Sequence, residues 1–135
     1  MSEPQLNVFG RVLKTCSNEP LTGFLRDGCC NSSVNDQGEH IVCAIVSDKF
    51  LDFSLSKGND LVTPRKEFNF PGLIDGDRWC LCADRWIEAY QNECAPRLVL
   101  EATNVDVLKK IDIEILKKFA SVSYTHLTLP TILLV

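Results

Sequence analysis

The chain has 135 residues, 45% of them hydrophobic and 24% charged, with a formal net charge of −4 at pH 7. That length suits one sizeable core and is short for two ordinary domains. The acidic balance and the lack of any Lys/Arg block argue against nucleic acid as a partner, because phosphate binding rests on clustered positive charge. No signal-peptide pattern opens the sequence and no run reaches the roughly 18 apolar residues of a membrane span, so no membrane partner is expected and the cytoplasm is the expected compartment.

Residues 6–12 read as a short strand region broken at Gly10. Two turn signals then follow closely, Ser17-Asn-Glu-Pro-Leu-Thr-Gly23 and Arg26-Asp-Gly28, which makes residues 16–38 one long, turn-rich loop. A loop of that length inside a small domain is usually functional, or stapled by something. Residues 40–47 (His-Ile-Val-Cys-Ala-Ile-Val-Ser) are apolar and β-branched, the composition of a buried strand. A helix should follow with Ser47 or Asp48 as N-cap, Phe50, Leu51 and Phe53 inward, and Gly58 at the position just past its end. Residues 58–64 and 70–77 are again loops.

Residues 79–83 alternate as a strand. Residues 84–92 then form a helix with Trp86, Ile87 and Tyr90 on its apolar face and Arg85, Glu88 and Gln91 outward. A third strand is expected over 97–102. Thr103-x-x-Asp106 has the form of a capping box opening a short helix through Lys110, and a last helix from about Asp112 to Ala120 buries Ile113, Leu116 and Phe119. Strands and helices mix without regular βαβ alternation, so the fold class is α+β, with a small mixed or antiparallel sheet, several short helices and long early loops. Residues 122–135 carry no charge, whereas the stretch before them is dense in Lys, Asp and Glu. The string resembles peptide read through sequencing-adapter DNA. The expected native domain is therefore 1–121 with 122–135 a non-native tail, which sets His126 aside and leaves His40.

Seven cysteines stand at 16, 29, 30, 43, 80, 82 and 94. An odd count excludes a framework that pairs every thiol, and in a cytosolic chain cysteine-rich patterns lean toward metal or redox chemistry. Cys80-Leu-Cys82 is the sharpest local feature, because side chains at i and i+2 of a strand share a face and two adjacent thiolates suit a soft metal. The plainer reading is two small residues packed in a core. Neighbours Cys29 and Cys30 point apart in extended chain, so one of them joins a shared site. A tetrahedral set of Cys16, Cys29 or Cys30, Cys80 and Cys82, with zinc as the fitting ion, would hold the long loop to the sheet. It requires sulfurs converging within about 4 Å, the spacing around an ion with bonds near 2.3 Å.

A second constellation is a Cys–His nucleophilic site: Cys29, Cys30 or Cys43 activated by His40, with Asp27 or Asp36 orienting the ring. For catalysis the candidates are thus Cys30, His40 and Asp27, set against the plainer role of a hydrogen-bonding histidine. Polar loop residues Arg26, Asn59, Asp60 and Arg65 are candidates for holding a small molecule, since binding groups gather on loops carried by a rigid scaffold. Each singly is more simply a solvated charge or a turn-former.

Together the motifs resemble a known family. They are Pro20-Leu-Thr-Gly-Phe24 leading to Arg26-Asp-Gly-Cys-Cys30, His40-x-Val-Cys-Ala44, Phe50-Leu-x-Phe-Ser54, Gly58-Asn-Asp-Leu-x-Thr-Pro64, Phe70-Pro-Gly-Leu73, Gly76-Asp-x-Trp-Cys-Leu-Cys-Ala83 with Arg85-Trp86, and Leu100-Glu-Ala-Thr103. This set resembles the bacterial family called domain of unknown function 2237, over about residues 5–120. Leu25 stands where the family has an aromatic residue, Lys66 where it has proline and Asn104 where it has histidine. The last weakens any mechanism that needs a second histidine there. The resemblance implies a small cytoplasmic domain and carries over no catalytic residue. Three functions stay open: a metal- or thiol-binding module built on the cysteines, a small-molecule enzyme whose pocket forms where loops 26–30 and 59–65 meet, and an interaction domain with inert cysteines and an exposed apolar patch.

Overall fold

A six-residue strand, β1 (His40–Ile45), runs through the middle of the molecule with its four central residues buried. In the computed structural model, which describes residues 4–68 and 70–120, it is flanked by β2 (Arg78–Cys82) and β3 (Arg97–Leu98). Both pair with it antiparallel, in the order β2-β1-β3. The β1–β2 ladder sets Cys43 opposite Cys80 and His40 opposite Cys82, with an irregularity between His40 and Val42.

Helix α1 (Asp48–Ser56) starts as expected: the Ser47 hydroxyl accepts a hydrogen bond from the Phe50 amide. It stops at Lys57, and Gly58 with φ +85° takes the left-handed turn beyond it. Phe50 and Leu51 are buried, with Phe53 half-buried against the same core. Helix α2 (Ala83–Gln91) follows β2 with no loop between them, so Cys82 is both the last strand residue and the helix N-cap. Trp86 is fully buried; its indole N–H donates to the Pro96 carbonyl at 3.1 Å and its ring meets Tyr90 and Phe119. Helix α3 (Ile113–Lys117) is capped by Asp112, whose carboxylate accepts from the Glu114 amide.

Three expectations are corrected. The third strand does not extend over 97–102: after Leu98 the chain turns into a short 3-10 helix, Leu100–Ala102. The reason lies on β1. Val99 donates to the Cys43 carbonyl, the Cys43 amide donates to the Thr103 hydroxyl, and Asn104 donates to the Ile41 carbonyl, so β1 is satisfied by a chain that bows out and returns. With its hydroxyl used there, Thr103 cannot cap. Asn104 instead accepts from the Asp106 amide and opens the 3-10 helix Val105–Lys109. The opening segment 6–12 forms isolated bridges in place of a strand, Asn7 to Asn104 and Leu6 to Val12, the second closing a tight loop in which the Asn7 side chain accepts from the Phe9 and Arg11 amides. A three-stranded antiparallel sheet with short helices makes the fold α+β, as expected. The tail 122–135, with His126, lies outside the described residues. Among those described, no helix is long and apolar enough to cross a membrane.

Candidate functional site

Four cysteines come together on the sheet. Because Cys43 and Cys80 face each other across β1 and β2, their side chains leave the ladder on one side, and the long loop 16–38 supplies a partner to each. Disulfides join Cys16 to Cys43 and Cys30 to Cys80. The sulfurs of Cys16, Cys30 and Cys80 all lie within 4.8 Å of one another, and all four residues are buried with Val99, Ala102 and Ile45 around them. Nearby donors are engaged: the Cys80 amide donates to the Thr22 hydroxyl at 2.7 Å, the Cys16 amide to the Gly28 carbonyl at 2.7 Å, and the Cys43 amide to Thr103. Uncharged disulfides suit so apolar a shell better than a tetrathiolate, which would bury negative charge away from free donors.

The remaining three cysteines are free and half-buried. The Cys29 thiol donates to the Thr15 hydroxyl at 3.8 Å and that of Cys94 to the Asn92 carbonyl at 3.3 Å, while Cys82 sits at the junction of β2 and α2.

In front of the disulfide Cys30–Cys80 opens a cleft of about 500 Å³. The segment carrying Gly23, Phe24 and Arg26 and the one carrying Asp60, Leu61 and Arg65 both line it, together with Phe70, Trp79, Cys80 and His40. Loops 26–30 and 59–65 therefore meet in one concave site. Each segment depends on a glycine. Gly23 (φ +99°) has no room for a side chain, since a Cβ would stand 2.5 Å from the Cys29 carbonyl oxygen; at Gly72 (φ +82°) it would stand 2.4 Å from that of Val62. Arg26 donates to the Gly23 carbonyl at 2.7 Å and rests its guanidinium 5.2 Å from the centre of the Trp79 ring, while Phe70 meets that ring edge-on at 5.1 Å. The Asp60 carboxylate accepts from the Val62 and Thr63 amides. The Thr63 hydroxyl, those two amides and nearby Arg65 hold its carboxyl below the usual carboxylate range, so it stays charged beside Arg65.

In the lining of the cleft His40 is held by Asp36. The ring Nδ1 lies 2.7 Å from one Asp36 carboxylate oxygen, and the His40 amide donates to the other at 2.8 Å. The Asp36 side chain is 1% exposed and that of His40 41%. In the neutral ring the proton sits on Nδ1 toward the carboxylate, which leaves Nε2 as an acceptor. Phe24 stacks on the imidazole with ring centres 6.4 Å apart. A backbone distortion aims the ring. Glu39 has φ +51°, and its carbonyl accepts from both the Ile41 and Ala83 amides.

The bacterial family DUF2237, described as an uncharacterized protein conserved in bacteria, matches residues 6–120. The chain belongs to that family. No curated protein matches it.

In this DUF2237 domain the sequence candidates fall into distinct places. Of the set Cys16, Cys29, Cys80 and Cys82, the cluster holds Cys16 and Cys80, joined there by Cys30 and Cys43; Cys29 and Cys82 stand outside it. Cys30 is bonded to Cys80. Asp27 is a turn residue, its carboxylate accepting from the Cys29 amide and the Asn31 side chain, and Asp36 is the carboxylate that reaches His40. Arg26, Asp60 and Arg65 line the cleft, and Asn59 lines a smaller pocket beside it. Asn104 is buried, its amide donating to Gln5 and to the Cys30 carbonyl, so it anchors the disulfide loop. Sequence reading missed the aromatic walls Phe24 and Phe70. Their signal was the alternation of aromatic and Gly/Pro residues in both loops.

Proposed function

We propose that this domain binds a small anionic molecule carrying a flat ring, in the cleft between loops 26–30 and 59–65. The supporting observation is the meeting of those two loops in one site, with two arginines, one carboxylate and aromatic walls around about 500 Å³. Such a volume is typical of a small-molecule site, and so is a mostly apolar lining with a few fixed polar groups. Arg65 supplies charge at the rim, and the faces of Trp79, Phe70 and Phe24 suit a ring. The partner is a metabolite-sized compound and not nucleic acid, in keeping with the net charge of −4, and the compartment is the cytoplasm.

A melting-point screen with inorganic phosphate, citrate, benzoate and a nucleoside monophosphate tests this. Saturation at about 100 times Kd adds about 2.7 kcal/mol, a shift of many degrees for a domain this size. We expect the ring-bearing acids to raise the midpoint and Arg65→Ala to cancel the rise. A flat screen, or a rise untouched by Arg65→Ala, removes the reading.

A second reading rests on the three sulfurs within 4.8 Å. Where a cytoplasm is reducing enough to open both bridges, Cys16, Cys30, Cys43 and Cys80 are thiols, and the set then offers a soft-metal site for zinc. Thiol titration in denaturant separates the two states. Three reactive thiols and no metal support the disulfides; seven, with stoichiometric zinc after anaerobic purification, support the metal module.

A further inference from the structure

We propose that Cys82 is a nucleophile activated by His40 and positioned Asp36, and that the cleft beside it takes an anionic acyl compound, an ester or thioester with a free acid group. The acid-group half of this rests on the cleft reading above; the nucleophile half does not.

Three observations converge on Cys82. First, among the described residues Cys82 is the free cysteine set against a histidine: His40 and Cys82 are Cα partners at the irregular end of the β1–β2 ladder. The register is irregular at this end of the ladder, so the regular same-face rule of an antiparallel pair does not by itself bring the two side chains together, and the shared pocket described next carries that part of the argument. Second, both line one pocket of about 160 Å³, together with Asn59 and Arg85. That pocket and the larger cleft share His40, Leu61 and Trp79, so the two adjoin at the imidazole. Third, the backbone is distorted here. The irregularity in the ladder lies between His40 and Val42, Glu39 is left-handed, and its carbonyl accepts from Ala83, the residue after Cys82. Bulges and strained residues of this kind gather where side chains are aimed for a task.

The chemistry follows the logic of a nucleophile, a base and a group that orients the base. Nε2 of His40 takes the thiol proton while Asp36 holds the Nδ1–H. The Cys82 sulfur bonds to the acyl carbon, the bond from that carbon to the leaving oxygen or sulfur breaks, and the imidazolium returns its proton to the leaving group. Water, giving a proton to the same nitrogen, then cleaves the new thioester to release a carboxylic acid and restore the thiol. Asn59 and Arg85 are the donors at hand for the developing oxyanion.

Cys29 and Cys94 provide the internal controls. Limiting iodoacetamide at pH 7, with peptide mapping by mass spectrometry, gives the alkylation rate of each free cysteine in one sample of the native protein. Cys82 should react at least tenfold faster than Cys29 and Cys94. His40→Gln and Asp36→Asn should lower the Cys82 rate about tenfold and leave the other two alone, whereas a merely structural role for Asp36 would move all three. If His40→Gln fails to fold, the Asp36→Asn comparison decides. Equal rates at the three thiols, or a Cys82 rate indifferent to both substitutions, overturns the proposal. For the acyl half, p-nitrophenyl succinate should leave one succinyl adduct at Cys82 by intact mass, absent in Cys82→Ser and favoured over acetyl transfer from the neutral acetate ester. Loss of that preference in Arg65→Ala ties the acid group to the cleft. A fast Cys82 that takes acetyl and succinyl alike keeps the nucleophile and removes the anion-binding reading, while the absence of both an adduct and Cys82-dependent release of nitrophenolate from either ester removes the acyl chemistry.

Discussion

Single hydroxyl groups settle much of the geometry around the cysteines. Thr103 accepts from the Cys43 amide and donates to the Val99 carbonyl, all of it buried. Thr103→Val keeps the shape but leaves a buried N–H with no acceptor, a loss of about 1–3 kcal/mol. Urea midpoints should show it, with Thr103→Ser close to wild type. Asp60 behaves differently, being at the surface. Its carboxyl is held below the ordinary value of 3.8 in the folded chain, so its contribution is present above that value and is lost as acid carries the pH down through the lowered one. Asp60→Asn should therefore melt below wild type at neutral pH, and the two curves should meet in strong acid. A constant gap across the whole pH range would contradict this assignment.

Between elements, the local signals in the sequence did most of the work and the long-range ones almost none. Ser47 capping α1 and Gly58 ending it are decided within four residues of chain, and both were legible. So was the buried run of β1. The early end of β3 was not, because it depends on Thr103 reaching back 60 residues to Cys43. Nor was the cysteine pairing, which spans separations of 27 and 50 residues and follows from the ladder register, not from spacing. Cys80-Leu-Cys82 suggested one shared face, yet the strand ends at Cys82 and α2 begins, so the two thiols go to different places. The meeting of loops 26–30 and 59–65 could be posed from sequence as a question, and the structure answers it.

One ion-pair network joins elements as well. Lys110, just past the 3-10 helix Val105–Lys109, reaches Glu39 at 2.7 Å and Asp84 of α2 at 2.9 Å. Hydrogen bonds to both carboxylates push its ammonium well above the usual lysine range. Its contribution is full below the unfolded value of 10.5 and disappears as pH rises through the raised one. With a third of the side chain exposed, Lys110→Met should cost about 1 kcal/mol or less, and less again in high salt. Guanidinium-free urea melts at two ionic strengths check it.

For the whole molecule the two disulfides replace what a larger core would supply. Cys30–Cys80 closes the longer ring and fixes the wall that carries Phe24 and Arg26. Replacing both cysteines by serine should cost about 2–4 kcal/mol and free that wall, so trypsin should cut after Arg26 much sooner than in wild type. Unchanged cleavage would mean that the Thr22, Gly23 and Asn104 contacts hold the loop unaided.

The two bridges interleave along the chain, 16 to 43 and 30 to 80. A molecule pulled by its ends therefore carries tension into the loop and crosses directly from Cys30 to Cys80, by-passing a sequence separation of 50. At about 3.5 Å per extended residue the oxidised chain should stop roughly 170 Å short of the reduced one. α1 lies inside the slack segment, whereas β1 stays tied through Cys43 to Cys16, on the loaded path. α1 would bear no load until a reductant cut Cys30–Cys80. In an optical trap that cut alone would release about 80 Å, because Cys16–Cys43 still spans 27 residues, and cutting the second bridge would release about 90 Å more.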